Sequence, residues 1–94
     1  LGRSVKNFNE NTWNLNKTNI MVSGLRLKFS QNALIKNKLK NTGNKSLFEA
    51  SPHDRIWGTG YNAADTLDRL QNNKQNELGQ NLLGLSLQIV RGEL

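Results

Sequence analysis

IMVSGLRLKF, residues 20–29, is the stretch whose reading decides the fold of this chain. Two readings compete for it. Ile20, Met21 and Val22, a Ser23-Gly24 turn, and Leu25-Arg26-Leu27-Lys28-Phe29 alternating with period two describe a β-hairpin. The same residues continue a series at intervals of four, Trp13, Lys17, Met21, Leu25 and Phe29, which is one face of a helix. On the second reading the helix begins near Glu10, with Asn9 or Asn11 as its cap and Glu10 well placed in the first turn. Periodicity alone leaves the two open.

Working outward, the next segment is clearer. Asn32 is a cap for ALIKNKLKNT, with Leu34, Ile35 and Leu39 as an inner stripe and Gly43 as the stop. SLFEA, residues 46–50, is too short for a helix and reads as a buried strand end. Pro52 then biases Ser51 to an extended conformation. Residues 61–70 suit a short helix, and QNNKQNE, residues 71–77, is polar enough to be a mobile loop. The tail gives a strong helical signal. Asn81 reads as its cap, Leu83, Leu87, Val90 and Leu94 form one stripe, and Leu82 and Ile89 widen it.

Ninety-four residues make one small domain, and a hydrophobic content of 35% limits the core it can bury. With no Cys there is neither a disulfide framework nor a thiolate metal site, which suits a reducing compartment. No apolar run approaches a membrane span, and LGRSVKNF lacks the apolar core of a signal peptide. A cytoplasmic protein is the expectation. The chain starts at Leu, which suggests a piece of a longer reading frame. The net charge of +6 invites a nucleic-acid reading. The thirteen Lys and Arg are spread from Arg3 to Arg91, however, and Lys36, Lys38 and Lys40 form the densest patch. That distribution favours a solvated basic surface.

The chemistry-bearing residues concentrate in EASPHDRIWGTG, residues 49–60. Gly58 to Ala63 fits the dinucleotide pattern GxGxxA, but residues 71–77 cannot supply the second strand of a βαβ unit, so no dinucleotide site is expected. His53 beside Asp54 is no dyad, since neighbours on extended chain point to opposite sides. One His without Cys makes no zinc set, and no metal or cofactor is expected. Asp54 has two readings. It caps its own turn, or it is a carboxylate held in a stiff loop beside Trp57, able to stabilise positive charge or activate water. The glycines flanking Thr59 would let backbone N–H groups approach an anionic ligand. Trp57 is either core or a flat wall for a base or ribose.

Four segments in order carry a resemblance: WxxxK…IM…L..KFSQN (residues 13–32), L…TG (39–43), EASPxDRIWGxG (49–60) and NLLGxxLxxVR (81–91). Together they resemble the NADAR family, the YbiA/RibX-like N-glycosidases, over essentially the whole chain. The resemblance implies an α+β, predominantly helical fold with the N-terminal part of the domain missing, so that residues 1–94 are a partial domain. It also favours helix over hairpin for residues 10–30. It implies hydrolysis of a ribose N-glycosidic bond in a phosphoribosyl intermediate of riboflavin synthesis or in an ADP-ribosyl, NAD-derived compound. The expected partner is therefore a small ribose-phosphate or ADP-ribose-type ligand. The alternative is a basic ligand- or nucleic-acid-binding module without catalysis.

Carried across by motif, the catalytic positions fall on Asp54 and Trp13, and the substrate-binding ones on Trp57, Gly58, Gly60 and Asn81. Lys17 departs from the usual Arg and loses its bidentate fork. Thr59 replaces a typical Ile, and Leu78 stands where a Trp often precedes Gly79. The family's upstream glutamate has no counterpart here. Glu49 is the only nearby acid, and its place in SLFEA suggests a structural role instead.

Overall fold

In a computed structural model, which describes residues 10–94, residues 20–29 lie within one continuous helix, α1, Glu10–Ser30. The helix runs through Ser23-Gly24 without a turn. Its packing explains why. Val22, Leu25 and Phe29 are buried, at the i, i+3, i+7 spacing of a helix, while Leu27 is exposed. A strand would have put Leu25 and Leu27 on the same face. Asn11 lies inside α1, and Asn9 lies outside the described residues.

Three further helices follow: α2, Ala33–Lys40; α3, Ala63–Gln71; and α4, Leu82–Gly92. The Asn32 side chain caps α2 as expected, accepting from the Leu34 and Ile35 N–H groups. Leu39 is buried and Ile35 half-buried, but Leu34 is exposed and leaves the expected stripe. Asn62 caps α3 through the Asp65 N–H. Residues 71–77 are more ordered than their polarity suggested, because Gln71 ends α3 and Gln75–Glu77 form a 3₁₀ turn.

The core is Val22, Leu25, Phe29, Leu39 and Val90, with Met21, Ile35, Leu47, Leu83 and Leu87 packed against it. It therefore belongs to α1, α2 and α4. Ile89 and Leu94, expected to extend the α4 stripe, are exposed. Arg26 and Glu93 add a two-pronged ion pair at 2.7 Å. The hydrogen bonds from Arg26 hold the Glu93 carboxyl below its ordinary value. The pair is exposed and screened, so it sets register more than stability.

Among the described residues there is no strand. SLFEA is extended, but its backbone is satisfied by side chains from α4 and its N-cap position. The Leu47 N–H donates to Gln88 Oε1, the Asn81 amide donates to the Leu47 carbonyl, and the Glu49 N–H donates to Asn81 Oδ1. A strand partner is unnecessary where side chains complete the backbone pairing. Phe48, read as part of a buried strand end, points outward and is 40% exposed.

Asn81 thus joins two segments, and it does so from the left-handed region, at φ 53°. It occupies the N-cap position of α4 yet makes no side-chain cap. The first α4 donors are taken by carbonyls instead: Leu82 N–H donates to Ile56 and Leu83 N–H to Trp57.

Two stability measurements follow from this geometry. Gly24 sits within α1 with open space where a Cβ would stand, so Gly24→Ala should stabilise by about 0.5–1 kcal/mol. On a domain this size that raises Tm by roughly 2–8 °C; no rise would mean that α1 is not helical there in solution. Asn81→Gly keeps the left-handed backbone but leaves the Leu47 and Glu49 groups unpaired, costing about 1–3 kcal/mol for each one left buried. Asn81→Ala should cost roughly 1 kcal/mol more, because Ala tolerates that backbone poorly. Urea melts of the two variants side by side check both the size and the order.

Candidate active site

The loop from residue 51 to residue 61 is shaped by three devices, each traceable to its sequence. The first is Asp54. Its Oδ1 accepts from the Ile56 N–H at 3.0 Å and the Trp57 N–H at 2.8 Å, so the carboxylate closes its own turn. Its other oxygen makes no hydrogen bond to a described residue. Asp54 is half-buried, as is Trp57, while His53 is exposed.

The second device is close approach at Gly58. A Cβ there would stand 2.8 Å from the Glu49 carbonyl oxygen and 3.0 Å from that of Asp54. Only glycine lets the loop close against residue 49. The same Glu49 carbonyl accepts from the Ser51 and Thr59 N–H groups, at 3.0 and 2.8 Å. Glu49 therefore acts through its backbone, as its place in SLFEA suggested. Thr59 is fully buried, its N–H is spent on Glu49, and its hydroxyl shares a 2.8 Å hydrogen bond with that of Thr66.

The third device is a stack of cations on Tyr61. Arg69 lies 3.8 Å and Arg55 5.6 Å from the ring centre. Arg55 also donates to the Glu77 carbonyl, and Arg69 Nε faces the Glu77 carboxylate at 3.2 Å. Gly60, at φ +81°, leaves room for the Arg55 side chain. The motif reading missed this clamp. Its one signal was the presence of Arg55, Tyr61, Arg69 and Glu77 on either side of a helix short enough to bring them together.

Asp54, Trp57, Gly58 and Gly60 thus share one loop, with Asn81 beneath it. Trp13 is 49% exposed, Lys17 lies over its ring at 5.3 Å, and no described hydrogen bond or ring contact links it to the Asp54 loop.

Among the described residues, no three His, Asp or Glu side chains converge as a metal site. No helix there is long and apolar enough to cross a membrane.

Comparison with known proteins bears on this loop directly. The profile of the NADAR domain matches residues 1–94. An N-glycosidase of Acanthamoeba polyphaga mimivirus is 45% identical over 93 residues, covering 99% of this chain and 53% of that protein. An N-glycosidase of Nostoc punctiforme is 36% identical over 94 residues, covering 100% of this chain and 51% of that protein. A chloroplastic riboflavin biosynthesis protein of Zea mays is 40% identical over 48 residues, 51% of this chain and 8% of that protein. The chain spans about half the length of the two N-glycosidases. With the profile and both full-chain matches covering the Asp54 loop together with its α4 support, the chain belongs to the NADAR domain family.

Proposed function

We propose that the Asp54 loop is the ribose-facing part of an N-glycosidase site, acting on a phosphoribosyl or ADP-ribosyl substrate. One observation carries the reading. Asp54 is pinned through one oxygen by two N–H groups, which leaves the second oxygen to face a ligand from a fixed position. Cleavage of a ribose C–N bond develops positive charge on the anomeric carbon. A carboxylate fixed beforehand stabilises that charge without reorganising. Water then adds at that carbon, and the base leaves with a proton. Trp57 supplies a flat face beside the carboxylate. Gly58, Gly60 and Asn81 shape and hold the loop. Trp13 has no described contact with the loop, so the charge-stabilising role is assigned here to Asp54.

The maize relative's name points to riboflavin biosynthesis, and the names of the two N-glycosidases favour the bond broken. Among the described residues no second acid shares a hydrogen bond with the Asp54 turn to protonate the leaving base. On its own the chain should therefore be a slow catalyst, by about 10²–10⁴-fold, the worth of one positioned acid–base group.

The test compares Asp54→Asn with Asp54→Ala, both in the 94-residue chain and in the mimivirus relative with this chain exchanged for its equivalent segment. Asn keeps the oxygen that closes the turn and loses only the charge. Asp54→Asn should leave Tm within a few degrees and lower single-turnover release of the base at least ~10²-fold, with little change in ligand affinity. Asp54→Ala should lose the turn as well, at a cost of about 1 kcal/mol in stability. If Asp54→Asn cleaves like the parent while Asp54→Ala does not, the carboxylate is a turn residue and the proposal fails. Turnover by the unmodified chain equal to that of the exchanged protein would refute the need for a second acid.

A further inference from the structure

Charge is divided unevenly along this chain. Residues 11–48 hold seven Lys and Arg and no Asp or Glu, whereas residues 49–94 hold four and six. The fold gathers five of those seven cations around α2. Lys28 is in the last turn of α1, Lys36, Lys38 and Lys40 are on α2, and Lys45 follows the turn that leaves it. Four of the five are exposed and Lys36 is half-buried. Lys36 and Lys40 are one turn apart on one flank of the buried Leu39. Lys38 is on the other flank and borders the same groove as Lys28.

The fold does not neutralise this group. Among the described residues the ion pairs are Arg26–Glu93 and Arg69–Glu77, and neither includes one of the five lysines. The helix dipole favours Lys38 and Lys40 in the last turn of α2, but it equally favours acids in the first turn, which has none. Lys36 and Lys40, four residues apart on a helix, repel each other. The arrangement therefore costs the free chain stability and builds a field of one sign over the face.

We propose that this lysine face of α2 binds the phosphate backbone of a nucleic acid. Its other residues select that partner among polyanions. Gln31, Asn37, Asn41 and Asn44 are exposed among the lysines and offer amide donors to phosphate and sugar oxygens. A membrane-surface helix inserts an apolar face, but Ile35 and Leu39 are turned to the core. A protein partner calls for an apolar centre to the patch, and Leu34 is the one large apolar side chain exposed within residues 31–45. Lysine contacts to phosphate carry no sequence information, so the face should accept any sequence. This binding rests on charge and does not depend on the glycosidase reading.

The test is fluorescence anisotropy of a labelled, unmodified oligodeoxynucleotide, single-stranded and duplex, titrated with the 94-residue chain. Between about 50 and 200 mM salt, Kd should rise with a log–log slope of about 3.5–4.5, the value for about five neutralised phosphates. Lys36→Gln combined with Lys40→Gln should flatten that slope by about 1.4–1.8 and raise Kd at least ~5-fold at the lowest salt, with the far-ultraviolet circular dichroism unchanged. Gln71→Glu combined with Lys74→Gln makes the same change in net charge on α3 and the segment after it, which do not pack on α2. That pair should leave Kd within about twofold. Polyglutamate and phosphatidylserine vesicles, matched to the oligonucleotide in charge, should compete at least ~10-fold less well than unlabelled oligonucleotide. The proposal is overturned by no binding at the lowest salt, by a slope near zero, by equal weakening in the two double variants, or by either competitor matching the oligonucleotide. None of these outcomes bears on base release at Asp54, so the two readings fail separately.

Discussion

The start of α4 is held by main-chain carbonyls, and the Asp54 loop takes its shape from that contact. A helix ordinarily leaves its first N–H groups to a side-chain cap or to water. Here Asn81 stands at the cap position in the left-handed region, and its side chain is turned away to Leu47 and Glu49. The vacant role passes to the loop. Thr59, Arg55, Gly58, Ile56 and Trp57 offer their carbonyls to the N–H groups of residues 79–83 in turn. Each group on one segment satisfies a group on the other, so neither can move without leaving buried polar atoms unpaired. Because α4 also supplies Val90 to the core, the loop is tied indirectly to the best-packed part of the molecule.

That arrangement restricts what the loop can bind. The N-terminal end of a helix carries partial positive charge and often holds an anion. At α4 the leading donors are already occupied by Ile56 and Trp57 carbonyls, so a phosphate gains little there. The glycine pair, which in sequence suggested amide groups open to an anion, has another use. Gly58 lets the chain touch residue 49, and Gly60 makes room for Arg55. What the loop does present is a carboxylate with one oxygen fixed by the Ile56 and Trp57 N–H groups. Under the proposed function the loop would face developing positive charge rather than a phosphate.

The helices were legible where a local signal coincided with the tertiary one. Asn32 caps α2 because its side chain reaches N–H groups two and three residues on, chemistry visible in sequence, whereas the equivalent cap of α3 by Asn62 was not singled out there. Residues 20–29 were not decidable from the period, because Met21, Leu25 and Phe29 fit a helix while Leu25, Leu27 and Phe29 fit a strand; the order of motifs favoured the helix. Leu34, Ile89 and Leu94 were placed inside because an apolar residue near a stripe looks like part of it. Only the neighbouring helices determine how wide the covered stripe is. SLFEA looked like a strand because it is apolar and short, yet its pairing comes from Asn81 and Gln88, more than thirty residues away. Within the site, the turn role of Asp54 was legible as one of two readings, from an Asp that follows the Ser51-Pro52 entry. The Tyr61 stack was not, since it depends on how α3 returns the chain.

Stability is distributed unevenly as a result, and the distribution separates the core helices from the α3 corner. The core joins α1, α2 and α4 by apolar burial. The α3 corner is joined to the rest by polar links: the Thr59–Thr66 hydroxyl contact, the arginines on Tyr61 and the Arg55–Glu77 bond. Of these links only the Thr59–Thr66 contact is buried, and exposed polar links contribute little net stability, so α3 and the 3₁₀ turn are expected to open before the core. Opening there would release Arg55 and Gly60 but leave the Asp54 turn closed, because residues 54, 56 and 57 are held by one another and by α4. A carboxylate with its geometry set locally keeps that geometry while the wall beside it moves. The α3 side can therefore adjust to an occupant without disturbing the charge on which the proposed chemistry depends.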